Sequence, residues 1–402
     1  MLDMIKTLDP ANGLTRGWRV APPQRSEPPL WNVAVDIGGL AVRGRTIDEY
    51  PVHIVGACGV SRKDTISRAA GEAVERFALF PGERGPDAIK ATSDALGDTA
   101  LDFEGLGDAR AEGRPLRWYR GRRLGSGESV WVPAGLVDYP AEDPWFDPTP
   151  SGAAAGPTRE FALRGALLEL IERDAVSVAW AADVELEEFD VEAEIAAARP
   201  TADWRHLTRL YRSVCAQGLQ PRLLRVPVLP GFHCVLGAVI DGGRAAVGAK
   251  AHEELGRALL IALQESLQVR EALRRIGRRT VPEVVRDDMD RAALWQTESA
   301  VTELDRRLRG LATTEPGATS RPPHSLTDLV AAVVADGGRP VAVDLTARLP
   351  PEHRAMGWHA IKVVVAGYQP LRMDERHEFT WQRARIAAAA TKPVRYFPHP
   401  LI

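Results

Sequence analysis

The sequence predicts an α/β protein in which β-sheets pack against three helices carrying acidic pairs. Strand-like segments rich in β-branched residues alternate along the chain with long apolar helices. One pattern recurs on three of those helices, at GEAVERF (71–77), LELIERDA (168–175) and LQESLQVR (263–270). An apolar fraction of 45% in 402 residues is enough for one large core or two smaller ones.

Residues 1–30 hold Pro10, Gly13, Pro22, Pro23, Pro28 and Pro29 among charges, which predicts an irregular N-terminal arm. Residues 31–402 form the domain proper. WNVAVDIGGLAV and HIVGACGV read as strands, and SRKDTISRAAGEAVERFALF as the amphipathic helix that follows. LRWYRGRRL and SVWVPAGLV are the next strands, before a loop rich in Pro, Asp and Gly (138–157) and a helix over 158–180. A third unit has a helix at 204–217, strands PRLLRVPV and FHCVLGAVI, a turn at 241–243 and a helix over 252–275. Residues 278–323 are charged, helical at first and then loose, after which PVAVDLT and IKVVVAGY read as buried strands. A polar helix and the tail RYFPHPLI close the chain. Outside the motifs the three units share little sequence, so the recurrence reads as three helices converging on one site and not as a solenoid.

Charge and cysteine content exclude several classes of function. Lysine and arginine total 51 against 54 acids, a net charge of −3, which disfavours binding to nucleic acid or an anionic membrane. Cys58, Cys215 and Cys234 are odd in number and widely spaced, fitting reduced thiols and a cytoplasmic location better than a disulfide framework. The start MLDMIKTLDP lacks an apolar signal core, and no stretch approaches the roughly 20 apolar residues of a membrane span.

Helical residues three or four apart share a face, so Glu72 with Glu75, Glu169 with Glu172, and Glu265 with Gln268 each present two oxygen-bearing groups side by side. Six such groups on three helices can enclose hard cations. Magnesium is commonly held by a few carboxylates together with water and substrate phosphates, so the cluster suits a nucleoside triphosphate. Arg76, Arg173 and Arg270 can neutralise phosphate oxygens or buttress the carboxylates. A single acid pair on a helix is ordinarily a solvated face, but ALLELIERDAVSVAW has little polar face to spare. No GxxxxGK[ST], strand-borne GxGxxG or HExxH is present. The glycines of GGLAVRG and GACGVS read as tight turns. Cys58 precedes a helix, a place that favours a thiolate, but with no base near it in sequence it reads as a small buried residue. His53, His233 and His252 lack ligand spacing and read as structural.

These motifs resemble the YcaO family, ATP-dependent enzymes that activate peptide backbone amides, over roughly 56–402. The first helix is similar to the family's Ser-x3-Glu-x2-Glu-Arg run at Glu72, Glu75 and Arg76. SGAAAGPTREFALRGALLELIERDA resembles the Asn-Gly, Gly-Asn-Thr and Glu-x2-Glu-Arg-Asp run, with Glu169, Glu172 and Arg173 in its acidic stretch. ALQESLQVR resembles the Ala-Leu-x-Glu-x2-Gln-x-Arg helix at Glu265, Gln268 and Arg270. VVVAGYQPLR is similar to a late family strand and turn, and PHPLI to the proline-rich tail of azoline-forming members. Four positions depart from the pattern. Cys58 and Arg68 stand where the family has a lysine and a serine, and Pro157 and Phe161 where it has an asparagine and a glutamate. Arg68 or Lys63 is the candidate replacement cation. Glu160 adjoins Phe161 but points roughly 100° away around the helix.

The resemblance implies a YcaO-type fold with an ATP and magnesium site, occupying 31–402 and ending in a proline-containing tail. Arg68, Glu72, Glu75, Arg76, Glu169, Glu172, Arg173, Glu265, Gln268 and Arg270 are its expected nucleotide-binding residues, with Glu72, Glu75, Glu169, Glu172 and Glu265 holding the metal. The implied activity is cyclodehydration of a ribosomally synthesised precursor peptide to an azoline or a macrocyclic amidine. Two alternatives are thioamidation with a partner protein and a catalytically silent scaffold that binds a peptide or second enzyme. With only a short arm before the domain, the chain is expected to act alone or with a separate partner protein, and the family also admits a homodimer.

Overall fold

The computed structural model describes residues 2–25, 27–38, 41–42, 45–46, 53–82, 85–141, 143–316, 325–394 and 396–402. Gly39 and Gly44 of the GGLAVRG turn, residues 317–323 of the loose stretch and Arg395 of the tail lie outside them. Three antiparallel strands, Gly17–Ala21, Trp31–Asp36 and Ile54–Gly59, form an N-terminal sheet. A six-stranded sheet runs Ala88–Ala91, Leu116–Arg123, Arg339–Asp344, His359–Ala366, Ala153–Gly156, with Ser129–Pro133 joined to Leu116–Arg123. The five-stranded sheet runs Arg244–His252, His233–Asp241, Arg222–Val226, Glu187–Glu188, Ala312–Thr313. No helix among the described residues is long and apolar enough to cross a membrane.

The three acid-bearing helices form as their spacing predicts. Arg62–Leu79 starts at Ser61, whose side chain accepts from Asp64 N, and Arg159–Ala181 starts at Thr158, which accepts from Phe161 N. Leu255–Ile276 stops at Gly277, whose φ of +70° the side-chain-free residue takes without strain. Each helix is rooted in its own apolar cluster. The first buries Ile66, Ala69, Ala73 and Val74 beside Val33 and Val35 of the N-terminal sheet and Val364 of the six-stranded sheet. The second buries Leu163, Leu167, Ile171 and Val176 between Ile361 and Val363 on one side and Leu236 and Val247 on the other. The third buries Leu259, Leu263 and Leu267 against Val235, Val239 and the helix Ala202–Ala216. Each such leucine contributes roughly 1.5–3 kcal/mol of burial. Since the third helix also meets the Ile54–Gly59 strand, sheets and helices alternate in a closed ring.

Two strands carry no sequence signal. Ala153–Gly156 and Arg244–His252 are built mostly of alanine and glycine, which favour strands weakly, and their pairing partners decide their conformation. The first thirty residues also differ from the irregular arm their prolines predict. Gly17–Ala21 lacks proline and pairs as an edge strand, while the prolines bracket it at bends. Leu8 and Leu14 are buried, and the Trp358 indole donates to Thr7 Oγ1 at 2.9 Å.

Paired glycines set how closely the third helix approaches its sheet. Gly237 and Gly248 face each other across the His233–Asp241 and Arg244–His252 hairpin. A Cβ on Gly248 would lie 2.4 Å from Ser266 N, and one on Gly237 2.6 Å from Ala262 O, both backbone atoms of the helix. Gly248→Ala is therefore expected to push the helix off the hairpin and to lower the unfolding free energy by roughly 1–3 kcal/mol, read by urea denaturation. Unchanged stability would show that the helix is free to retreat.

Candidate active site

Where the ring closes, it encloses a cavity of about 640 Å³ lined by all three helices. Each sheet gives the cavity one edge strand, through Gly56 and Ala57, Ala153–Gly156, and Val247–Lys250. Nine of the ten expected residues line it: Arg68, Glu72, Glu75, Arg76, Glu169, Glu172, Arg173, Glu265 and Gln268. Arg270 does not. Its guanidinium donates to Asp241 Oδ2 at 2.7 Å and Glu27 Oε2 at 2.9 Å, tying the helix to the N-terminal segment. Two residues beyond Gln268 is roughly 200° around a helix, so an arginine there faces away from the motif's acids.

The carboxylates are held to different degrees. Arg76 bonds Glu72 at 2.9 Å, and Arg173 bonds Glu172 at 2.9 Å and Glu169 at 3.3 Å. Glu169 also accepts from Gly152 N at 3.1 Å, while Glu172, almost fully buried, accepts from Ala251 N at 2.9 Å and pairs with Lys250 at 3.2 Å. By contrast, Glu75 and Glu265 have only ion pairs, 3.8 Å to Arg76 and 4.0 Å to Arg68, and no hydrogen bond among the described residues. Burial, reinforced by Glu72 and Glu169, pushes the Glu75 carboxyl well above the usual range. Burial and then Glu172, only partly offset by Lys250 and Arg68, push Glu265 up to about 7. Burial would lower Arg76 and Arg173, but the facing glutamates outweigh it and hold both above the ordinary arginine range.

This donor set fits a divalent cation completed from outside the protein. Among the described residues no three acids, cysteines or histidines stand close enough to form a shell by themselves. Glu75 and Glu265 nevertheless offer free carboxylate oxygens whose ionisation burial opposes, and a cation would restore it. Magnesium keeps water and phosphate oxygens in its shell, so two such carboxylates are a sufficient protein contribution. Glu172, with both oxygens engaged, is the least available of the five expected ligands.

The divergent positions resolve individually. The Cys58 thiol is buried, bonds Gln264 O at 3.3 Å, and is pushed up to about 12 by burial against the opposing Arg68. It is a core residue and not a nucleophile. Arg68 reaches the cavity with Nη1 donating to Cys58 O at 2.9 Å and Gln264 Oε1 at 3.1 Å, bridging the first and third helices. Pro157 and the exposed Phe161 ring line the cavity, whereas Glu160 and Lys63 are exposed outside it. His53, His233 and His252 lie outside the lining, and burial pulls His252 down to about 4.

Sequence reasoning missed two lysines. Lys362 donates to Thr149 O at 2.7 Å and Ser151 O at 2.6 Å, fixing the loop that aims Gly152 N at Glu169. Burial pulls it down to about 8 against Glu169 and Glu75. Lys250 lines the cavity from the alanine-glycine strand. Isolated lysines in segments without a period carry no motif, so only the fold locates them.

Three helices packed between the sheets present carboxylates and arginines to one cleft, a lining of the kind that suits phosphates and metal ions. Residues 57–369 match the family described as YcaO cyclodehydratase, ATP- and Mg2+-binding, and the chain belongs to that family. The fold is shared with YcaO from Methanopyrus kandleri bound with AMPPCP and Mg2+, at a TM-score of 0.67, 22% identity and 92% of each chain. It is also shared with a heterocyclase in complex with substrate and cofactor, at a TM-score of 0.70 and 19% identity over 92% of this chain and 51% of that one. An uncharacterized protein of Methanothermobacter thermautotrophicus is 32% identical over 143 residues, 33% of this chain, and the match spans 36% of that protein's length. Family membership supports ATP-dependent peptide modification in general.

Two outcomes follow from the side-chain placements. A disulfide-exchange reagent is expected to label one thiol per native chain, the exposed Cys215, and all three after unfolding; rapid labelling of Cys58 would reopen its role as a nucleophile. Arg270→Ala removes the guanidinium between Glu27 and Asp241, which is expected to cost roughly 1–3 kcal/mol of stability by urea denaturation. A loss of ligand binding without loss of stability would return Arg270 to the site.

Proposed function

We propose that the chain is an ATP- and magnesium-dependent enzyme that activates backbone amides of a ribosomally synthesised precursor peptide, closing an azoline or a macrocyclic amidine. The observation that carries this reading is the meeting of five glutamates from three helices, with Arg76 and Arg173 between them, around one cavity of nucleotide size. In the reaction a nucleophile of the peptide adds to an amide carbonyl, and the resulting oxyanion attacks the γ-phosphate of ATP. Phosphate then departs with the former amide oxygen, leaving the new ring and ADP. Phosphoryl transfer of this kind needs position and electrostatic stabilisation more than covalent help from the protein.

Each group in the cavity has work in that scheme. Glu75, with Glu72 and Glu169 beside it, and Glu265 would hold magnesium, which would supply charge neutralisation on the triphosphate. Arg76 and Arg173 orient the carboxylates through their bonds to Glu72, Glu169 and Glu172. Arg68, fixed by Cys58 O and Gln264, presents a rigid cationic edge to the same space. The attacking group comes from the peptide, which accords with the burial of Cys58. Thioamidation would use the same amide activation with an external sulfur donor and a partner protein. The silent-scaffold reading draws on Phe161 and Arg68, which reduce the polar lining near the second helix start and replace a hydroxyl.

Titration calorimetry with ATP, with and without magnesium, separates these readings. The native chain is expected to bind ATP only with magnesium present, and Glu169→Ala, which frees Arg173 and Gly152 N, to weaken binding by tenfold or more, on the order of one charge-assisted contact. Equal binding by the Glu169→Ala chain would remove the second helix from the site. Magnesium-independent or undetectable binding by the native chain would favour the scaffold.

A further inference from the structure

The four guanidiniums lining the cavity are each pinned between two acceptors. Arg76 lies between Glu72 and Glu75, Arg173 between Glu169 and Glu172, Arg68 between Cys58 O and Gln264, and Arg257 between Asp64 and Asp203. Lys250 differs. Its ammonium has three donors and one partner among the described residues, Glu172 Oε2 at 3.2 Å. Glu172 does not depend on it, because Arg173 and Ala251 N hold the same carboxylate at 2.9 Å each. Lys250 also stands on the edge strand of its sheet, with nothing paired beyond it toward the cavity.

We infer that Lys250 is the cation that binds a phosphate oxygen of the nucleotide. This rests on the nucleotide reading above and assigns to one residue a role that reading leaves open. The cavity wall carries six side-chain carboxylates and five cationic side chains, so a triphosphate entering it is best met by a cation whose movement leaves no acid behind. Moving Arg76, Arg173 or Arg257 would release the acids each one holds, and moving Arg68 would unfasten the first helix from the third. Lys250 swings from Glu172 to a phosphate on a flexible four-carbon stem and leaves its partner held by Arg173 and Ala251 N. Its ammonium acts there as a point charge. The strand's other cavity-lining residues, Val247, Gly248 and Ala249, offer no charged side chain.

The test is calorimetry of ATP with magnesium on the full native chain, Lys250→Met and Lys250→Arg, with thermal melts of each ligand-free protein. The expected result is a loss of ATP affinity on the order of tenfold in Lys250→Met, recovery to within about threefold in Lys250→Arg, and ligand-free melting like the native chain. A purely structural lysine would instead lower the melting temperature and leave the affinity of the folded fraction unchanged. Lys250→Met that melts normally and binds ATP within about twofold of the native chain overturns the assignment. Should Lys250→Met melt early, Lys250→Gln, which keeps a bond to Glu172 but no charge, decides by the same affinity criterion. A native chain that binds no ATP removes the nucleotide reading itself, and this assignment with it.

Discussion

Mutual repulsion among partly buried carboxylates is the constraint around which the molecule is built. Five glutamates share one cavity, and burial opposes the ionisation of two of them, Glu75 and Glu265. Arg76 and Arg173 offset part of that repulsion for Glu72, Glu169 and Glu172, at distances between 2.9 and 3.3 Å. The remainder is repulsion that a bound cation would relieve. A cluster fully neutralised by arginine would have no reason to bind metal, and one without arginine would not stay folded around its charges.

Holding like charges together demands a rigid frame, and the ring of sheets and helices supplies it. Each helix is anchored in a separate apolar cluster, so the acids face inward while the opposite helix surfaces secure them. The Gly237 and Gly248 pair lets the third helix sit directly on its hairpin, which places Glu265 within reach of groups on the first helix. Arg68 completes that junction by bonding across from the first helix to Gln264 on the third. Arg68, which stands where the family has a serine, therefore serves as a brace. Lys362 performs a comparable task behind the second helix by fixing the Thr149–Ser151 loop.

The termini contribute to the same enclosure. Thr7 is bonded by Trp358 and His353, bringing Leu2 and Met4 to the cavity wall. At the other end, Trp180 donates to Phe397 O, and Arg291 and Trp295 donate to His399 O, so that Leu401 and Ile402 also reach the lining. Buried indoles and a buried guanidinium leave these segments little freedom, since each donor would otherwise be stranded in the core.

The sequence by itself determined the three acid-bearing helices, eight of the strands, the α/β class, and nine of the residues that line the candidate site. These were legible because helical period, β-branched runs and i, i+3 acid pairs are local signals that survive without knowledge of the fold. Tertiary structure alone decided the alanine-glycine strands, the pairing of Gly17–Ala21, the burial of Cys58, the outward turn of Arg270 and the arrival of Lys250 and Lys362 at the acids. The physical reason is common to all of them. A strand of small residues exists only through its partner's hydrogen bonds, and a lone charged side chain has a function only through groups that lie far from it in sequence.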